Sequence, residues 1–253
     1  MPGKNHRLLE QSFEIISFIA SKAESVSFKE ICDNIELPKS TVHNLVQTLV
    51  NLNILEKKDD SGKFIIGLKC FELGNAYLSS NPFYNQAKEI IEAISIKCNE
   101  TTHFAILNGT DVVYLYKFDS TQPLRIFSHV GKRVPAHATA IGKALLSGYT
   151  DQEIRKMYPD PVLPSMTPNT ITSVDVLLEQ LREIRRTNVA YEKEESSPYV
   201  QCYAVPILNR QGFPVAGISI STPIYREEND TKKLVSILLE AKELLNNLLR
   251  LYE

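Results

Sequence analysis

The chain has no apolar run near the ~20 residues needed to span a bilayer. Its first residues, Met1-Pro2-Gly3-Lys4-Asn5-His6-Arg7, lack the apolar core of a signal peptide. The expectation is a cytoplasmic protein with no membrane partner. Cysteine is scarce and scattered: Cys32, Cys70, Cys98 and Cys202 form no CxxC pair, and no HxxxH accompanies them. That spacing argues against a zinc site and for reduced thiols, with no metal and no cofactor. An excess of charge is missing too. The 28 Lys and Arg against 30 Asp and Glu leave a net charge of −2, which gives no pull toward membranes or bulk nucleic acid. There is no internal repeat and no low-complexity tract. What is present, 43% hydrophobic and 23% charged residues over 253 positions, fits one large or two smaller globular domains.

The most telling stretch is residues 27–62. Ser27-Phe28-Lys29-Glu30 fits a capping box, in which Ser27 accepts from the Glu30 N–H and the Glu30 carboxylate accepts from the Ser27 N–H. Phe28, Ile31, Cys32 and Ile35 then make one apolar helix face, stopped near Leu37-Pro38 because the residue before proline is pushed out of helical geometry. Ser40 or Thr41 is expected to cap a second helix with Val42, Leu45, Val46, Leu49 and Leu52 as its buried stripe. The opposite face carries Thr41, Asn44, Thr48 and Asn51, flanked by His43 and Gln47. Asn and Gln pair two-pronged with adenine and a Thr methyl touches the thymine methyl, so this face suits base reading. Two strands follow, 54–58 and 63–67, around Asp59-Asp60-Ser61-Gly62, with Lys57, Lys58 and Lys63 near the tip where a wing meets phosphates. The layout is a winged helix-turn-helix.

Residues 1–79 hold nine Lys and Arg against ten Asp and Glu, so the electrostatic footprint must be local: Lys39, Lys57, Lys58 and Lys63, with Lys4 and Arg7. So few phosphate contacts argue for a dimer or tetramer reading two half-sites of double-stranded operator DNA. A helix over 7–22, with Leu9, Phe13, Ile16 and Ala20 on one face, is expected to pack with the other two. The domain plan is 1–67 for the DNA reader, 68–82 for a linker helix and 83–253 for a second domain.

The second domain mixes both periods. Helices are expected over 83–99, 139–147, 173–187 (capped by Ser173) and 227–251, and strands over 102–107, 112–118, 124–130, 189–194, 202–208 and 214–221. Asn108-Gly109-Thr110-Asp111 signals a hairpin. Hairpin-linked strands outnumbering helices predict an α+β fold with an antiparallel central sheet and flanking helices. The alternation of Tyr114, Tyr116 and Phe118 with Val113, Leu115 and Lys117 reads as core against surface, and Glu192-Lys193-Glu194-Glu195 as a solvated strand edge with Glu192 the exception.

Residues 130–146, VGKRVPAHATAIGKALL, resemble a signature of the IclR-type transcriptional regulators. So do Glu194-Glu195, the run Cys202-Tyr203-Ala204-Val205-Pro206-Ile207, and Ala216-Gly217-Ile218-Ser219-Ile220-Ser221. With the winged helix the resemblance spans nearly the whole chain in order. It implies a GAF-like C-terminal domain binding a small organic acid, sugar acid or aromatic acid, in homodimers or homotetramers paired through the N-terminal domains. Carried over by position, the effector site uses Thr139, Ala140, Ile141 and Gly142 at a helix start, Glu192 where the family often has Asp, Cys202, and the hydroxyls of Ser219 and Ser221. Two positions depart from the pattern. Pro198-Tyr199 stands where the family commonly has Gly, so Tyr199 is expected to reshape or cover the pocket. Asn44 stands where the recognition helix often has Arg, shifting the expected contacts toward A·T pairs.

The function implied is sequence-specific transcriptional regulation under a small-molecule effector, without enzymatic activity. Two other classes stay in view: a small-molecule enzyme using Cys202, His137 and Glu192, and a protein-interaction module. A strand cysteine is more often an inert small hydrophobe, and His137 more often fixes its loop. Arg125 and Arg133 are candidate partners for an acidic effector, and Tyr116 or Phe127 candidate wall residues.

Overall fold

The computed structural model describes residues 6–22, 24–122, 126, 128–225 and 227–253. The chain divides into two compact units between Ser80 and Asn81. In the first, α1 (Arg7–Ala20), α2 (Phe28–Asn34) and α3 (Lys39–Asn51) are followed by a ribbon of β1 (Leu55–Lys57) and β2 (Phe64–Ile66), then α4 (Leu68–Ser79). The ribbon is antiparallel, with Glu56 opposite Ile65. Val26 and Phe64 exchange both backbone bonds, which adds the segment before α2 to the ribbon. Ile15, Ile19, Val26, Ile31, Ile35, Val42, Val46, Leu49, Leu55 and Phe64 form the core.

The capping box of α2 forms as expected: the Ser27 N–H donates to Glu30 Oε2 at 2.7 Å and the Glu30 N–H to Ser27 Oγ at 3.2 Å. The start of α3 differs. Pro38 is its N-cap, its carbonyl accepting from the N–H groups of Thr41 and Val42, and no side chain caps the helix. Proline fixes its own φ and leaves an extended ψ, so the helix begins one residue after it and Ser40 and Thr41 fall inside the first turn. Leu52 is exposed rather than buried, because the helix has ended before it. The face of α1 also differs. The helix carries two apolar stripes, and the core takes Ile15 and Ile19, leaving Leu9 and Phe13 each 59% exposed. Helix α4 buries no residue; Leu68, Phe71 and Leu73 stand in solvent.

The ribbon's exit is tight. A Cβ on Gly67 would lie 2.3 Å from the Asn53 carbonyl oxygen, so only glycine fits there. The Gly67 N–H donates to the Ile54 carbonyl and the Lys69 N–H to the Asn53 carbonyl, tying the first turn of α4 to the end of α3.

The second unit contains α5 (Pro82–Cys98), β3 (Thr101–Asn108), β4 (Asp111–Phe118), β5 (Arg133–Pro135), a 3-10 turn (Ala136–Ala138), α6 (Ala140–Leu146) and α7 (Asp151–Met157). Then come α8 (Val174–Thr187), β6 (Ala190–Lys193), β7 (Val200–Leu208), β8 (Pro214–Pro223) and α9 (Glu228–Leu249). The strands form one antiparallel sheet in the order β5-β4-β3-β8-β7-β6. This is the α+β architecture expected, with its Asn108–Asp111 hairpin and with α8 capped by Ser173. Helices cover both faces. Phe83 of α5 meets Phe104 on one side, while Gly217 of β8 faces Ile141 and Leu145 of α6 on the other. Tyr114, Leu115 and Tyr116 are consequently all buried, and alternation on β4 does not separate core from solvent.

The strand expected over 124–130 lies partly outside the described residues, as do Lys4, Arg125 and Phe127; Ile126 and Ser128 to Val130 are not in a strand. Helix α7 was not anticipated, although Thr150 and Glu153 supply its capping box. Strand β5, at three residues, is too short to show a period.

Candidate functional site

The first candidate surface is the outer side of α3. With Val42, Val46 and Leu49 turned into the core, His43, Asn44, Gln47, Thr48 and Asn51 are exposed and Thr41 half-buried. Lys39 and Ser40 are exposed at its start. Thr48 spends its hydroxyl proton on the Asn44 carbonyl at 2.8 Å, which fixes its rotamer and leaves the methyl and oxygen lone pairs outward. Gln47 Nε2 donates to Asn51 Oδ1 at 3.3 Å. The His43 ring packs edge-on against Phe28 at 5.9 Å, so one side of it is braced. The ribbon brings its lysines close: Lys57 lines a cleft together with His43, Gln47 and Gly62. Lys58 is exposed beside it, its N–H donating to the carbonyl of the partly buried Lys63. Lys57 and the polar helix face thus line one cleft, with Lys58 and Lys63 on the same ribbon, the placement that a wing beside a reading helix requires.

The second candidate lies on the face of the large sheet that meets α6. Strand pairing sets Glu192 beside Cys202 and Cys202 beside Ser221, and sets His103 beside Ser219. Ser219 and Ser221 are each 3% exposed and Glu192 is 1%. The Cys202 thiol donates to Ser221 Oγ at 3.2 Å, and burial with the neighbouring Glu192 charge pushes its pKa well above the usual thiol value. It is therefore a thiol and no nucleophile. Burial also raises the Glu192 carboxyl, whose oxygens accept from the Glu195 N–H at 2.8 Å and Ser196 Oγ at 3.1 Å.

At the start of α6, Thr139 is the N-cap; its hydroxyl accepts from the Gly142 N–H at 3.1 Å, and its own N–H donates to the Ala136 carbonyl. A Cβ on Gly142 would sit 2.2 Å from that carbonyl oxygen, so glycine lets the helix press onto the 3-10 turn. Two of the helix-start N–H groups are thus already used, and Gly142 and Ile141 are committed to packing.

Several groups were missed by sequence reasoning. Lys143 is fully buried, its ammonium 2.5 Å from Glu195 Oε1. Burial lowers its pKa, against the pull of Glu195 and Glu192. Glu195 is thus no solvated edge residue: it is 6% exposed because it neutralises this ammonium. His103, 2% exposed, bonds Ser128 Oγ at 2.7 Å and stacks beside Tyr114 at 4.7 Å. Burial lowers its pKa to about 3, helped by the Lys117 charge, so it is a neutral imidazole. A signal existed for Lys143, inside the 130–146 motif, and for Glu195, inside the Glu194-Glu195 match; His103 had none beyond its neighbours.

Other expectations move. Tyr199 is 70% exposed and covers nothing. Its φ is +64°, the left-handed region where glycine is at ease, which accounts for the glycine common at this position in the resembled family. Arg133 is tied to Asp111 and Asn108 at the exposed hairpin. His137 Nε2 bonds the Pro164 carbonyl at 2.9 Å while Cys202 bonds Ser221, so each has its own partner.

A helix-turn-helix reader joined to a helix-covered sheet with a buried polar row defines a class, the effector-responsive transcription regulators. The model of the bacterial transcriptional regulator IclR C-terminal domain matches residues 75–246, and that of the IclR helix-turn-helix domain residues 8–59. The chain belongs to the IclR family of bacterial transcriptional regulators. It is 33% identical over 220 residues to HTH-type transcriptional regulator KdgR of Dickeya chrysanthemi, covering 87% of this chain and 72% of that one. It is 30% identical over 214 residues to HTH-type transcriptional regulator XynR of Escherichia coli K12, covering 85% of each. The crystal structure of the Thermotoga maritima IclR superposes with a TM-score of 0.77 at 28% identity, over 95% of this chain and 98% of that one. These relatives are regulators of transcription, and the enzyme alternative falls with that membership. Among the described residues no helix is long and apolar enough to cross a membrane.

Proposed function

We propose that residues 1–67 read operator DNA, residues 68–82 connect, and residues 83–253 bind a small organic acid or sugar acid that changes the affinity for DNA. The observation that carries this reading is the outer side of α3: an uncharged hydrogen-bonding face, sharing a cleft with Lys57 of the wing. Asn44, Gln47 and Thr48 contact base edges, with A·T pairs favoured. Lys39, Ser40, Thr41, His43, Lys57, Lys58 and Lys63 contact the backbone and fix the register. The effector lies along Glu192, Cys202, Ser219 and Ser221, with Thr139 to Gly142 as the opposing wall.

The regulator works as a homodimer or homotetramer in the cytoplasm. The exposed Leu9 and Phe13 of α1 and Leu68 and Phe71 of α4 supply an apolar surface for pairing. Two reading helices must match half-sites ~34 Å apart, so a change in their separation lowers affinity without altering any base contact. By linkage, operator DNA changes effector affinity by the same factor.

The test is fluorescence anisotropy with the DNA upstream of the protein's own gene, at fixed salt, with and without a panel of small carboxylates and sugar acids. Selective binding shifted by one compound supports both halves of the reading. Absence of selective binding removes it.

A further inference from the structure

We propose that Glu195 is a tethered stand-in for the effector's carboxylate: it occupies the Lys143 ammonium, and an incoming carboxylate takes its place there and releases the turn between β6 and β7. This rests on reading the C-terminal unit as the effector domain.

Three observations lead to it. First, among the described residues Lys143–Glu195 is the one ion pair with both side chains buried, at 0% and 9% exposure. The pair sits against the polar row, because Glu192 and Cys202 act electrostatically on Lys143. Second, the local charge count favours exchange over addition. One ammonium already faces Glu195 with Glu192 close by; a further carboxylate would leave uncompensated negative charge in a buried place, which is costly. Replacing one carboxylate by another changes no buried charge.

Third, the turn that delivers Glu195 is held in an uncomfortable shape. Glu194 and Tyr199 both have left-handed φ, +57° and +64°. The shape is kept by side chains acting on the backbone. The Tyr199 N–H donates to Glu194 Oε1 at 2.9 Å, and the Glu195 N–H to Glu192 Oε2 at 2.8 Å. The Thr170 hydroxyl donates to the Glu195 carbonyl at 2.6 Å, and the Thr167 hydroxyl to that of Glu194. The Glu195 side chain pins this turn to α6 through Lys143. Losing that pin lets the turn relax, and the same event that seats an anion therefore changes the protein's surface.

Chemical rescue tests the exchange without knowledge of the natural ligand. Glu195→Ala leaves Lys143 unpaired, with space for a small carboxylate. Acetate at ~0.1 M should raise the melting temperature of this variant, chloride of equal ionic strength should not, and acetate should bind about tenfold or more tighter than to the unmodified protein. The variant K143M/E195A should ignore acetate. Glu195→Ser, which also opens space beside Lys143, should show the same order and serves if Glu195→Ala does not fold. Amide exchange at Tyr199 should be faster in both single variants, and acetate should not slow it, because free acetate carries no tether to the turn.

Equal effects of acetate and chloride on the single variants would overturn the proposal. So would an acetate response in K143M/E195A, or recovery of Tyr199 protection by acetate. Operator binding by the unmodified protein is a separate measurement. Its loss would remove the regulator reading while the rescue result stood.

Discussion

The two units place their polar side chains oppositely. The N-terminal unit keeps its core purely apolar and displays Asn44, Gln47, Thr48 and Asn51 outside. The C-terminal unit turns Glu192, Ser219, Ser221, His103 and the Lys143–Glu195 pair inward. A surface that reads DNA can change its side chains with little effect on folding, since water solvates whatever is left. A buried polar row cannot, because each group depends on a partner. Specificity and stability are therefore separable in the first unit and joined in the second.

The sharpest way to break that contrast is at the buried pair. Lys143→Met leaves the Glu195 carboxylate without its ammonium, and the C-terminal unit should lose about 3–5 kcal/mol in a urea titration. A loss below about 1 kcal/mol would mean the pair is solvated in solution. Next in size is Asn44→Ala. It should reduce discrimination between operator and non-specific DNA by about 1–3 kcal/mol and shift the urea midpoint hardly at all. Unchanged selectivity would remove α3 as the reading helix.

An effect that is smaller within any one pH unit tests the row through pH. His103 has an ordinary value of 6.5 in the unfolded chain and about 3 in the folded one. Between these the unfolded state binds more protons, so the stability it contributes is complete above pH 6.5 and is lost as pH falls toward 3. The slope is up to about 1.4 kcal/mol per pH unit. Glu192, raised by burial, has the opposite sign, so the useful quantity is the difference from His103→Gln, which should lack the His103 slope. Identical pH curves would place His103 in contact with water. The smallest effect is Ser27→Ala, which removes the α2 capping box and should cost about 1 kcal/mol in the N-terminal unit alone.

What was legible in the sequence was what neighbours in the chain decide. The Ser27–Glu30 box, the Asn108–Asp111 hairpin, the Ser173 cap and the two-unit α+β plan all follow from residues a few positions apart. Choices made by distant partners were not legible. Helix α1 has two apolar stripes, and only the presence of the other helices selects Ile15 and Ile19 over Leu9 and Phe13. Glu195 reads as one of three glutamates in a charged run until Lys143, 52 positions earlier, is brought against it. His103 looks like any strand residue until β8 lies on one side and Ser128 reaches it. The cap of α3 was misassigned for a local reason, since proline can begin a helix without a side-chain hydroxyl.

The close approach at Gly67 has a mechanical meaning. With Gly67 pressed on Asn53 and Lys69 bonded to it, α4 and the end of α3 meet as a braced joint with no slack loop between them. The 12 residues of α4 make a rod ~18 Å long. Tilting that rod by ~10° displaces its far end by ~3 Å, and the bonds from Gly67 and Lys69 oppose any slip where it meets the chain just after α3. Gly67→Ala would force those backbones apart and turn the joint into a hinge; on the proposed reading, such a variant would fold and take up effector yet lose the response at DNA.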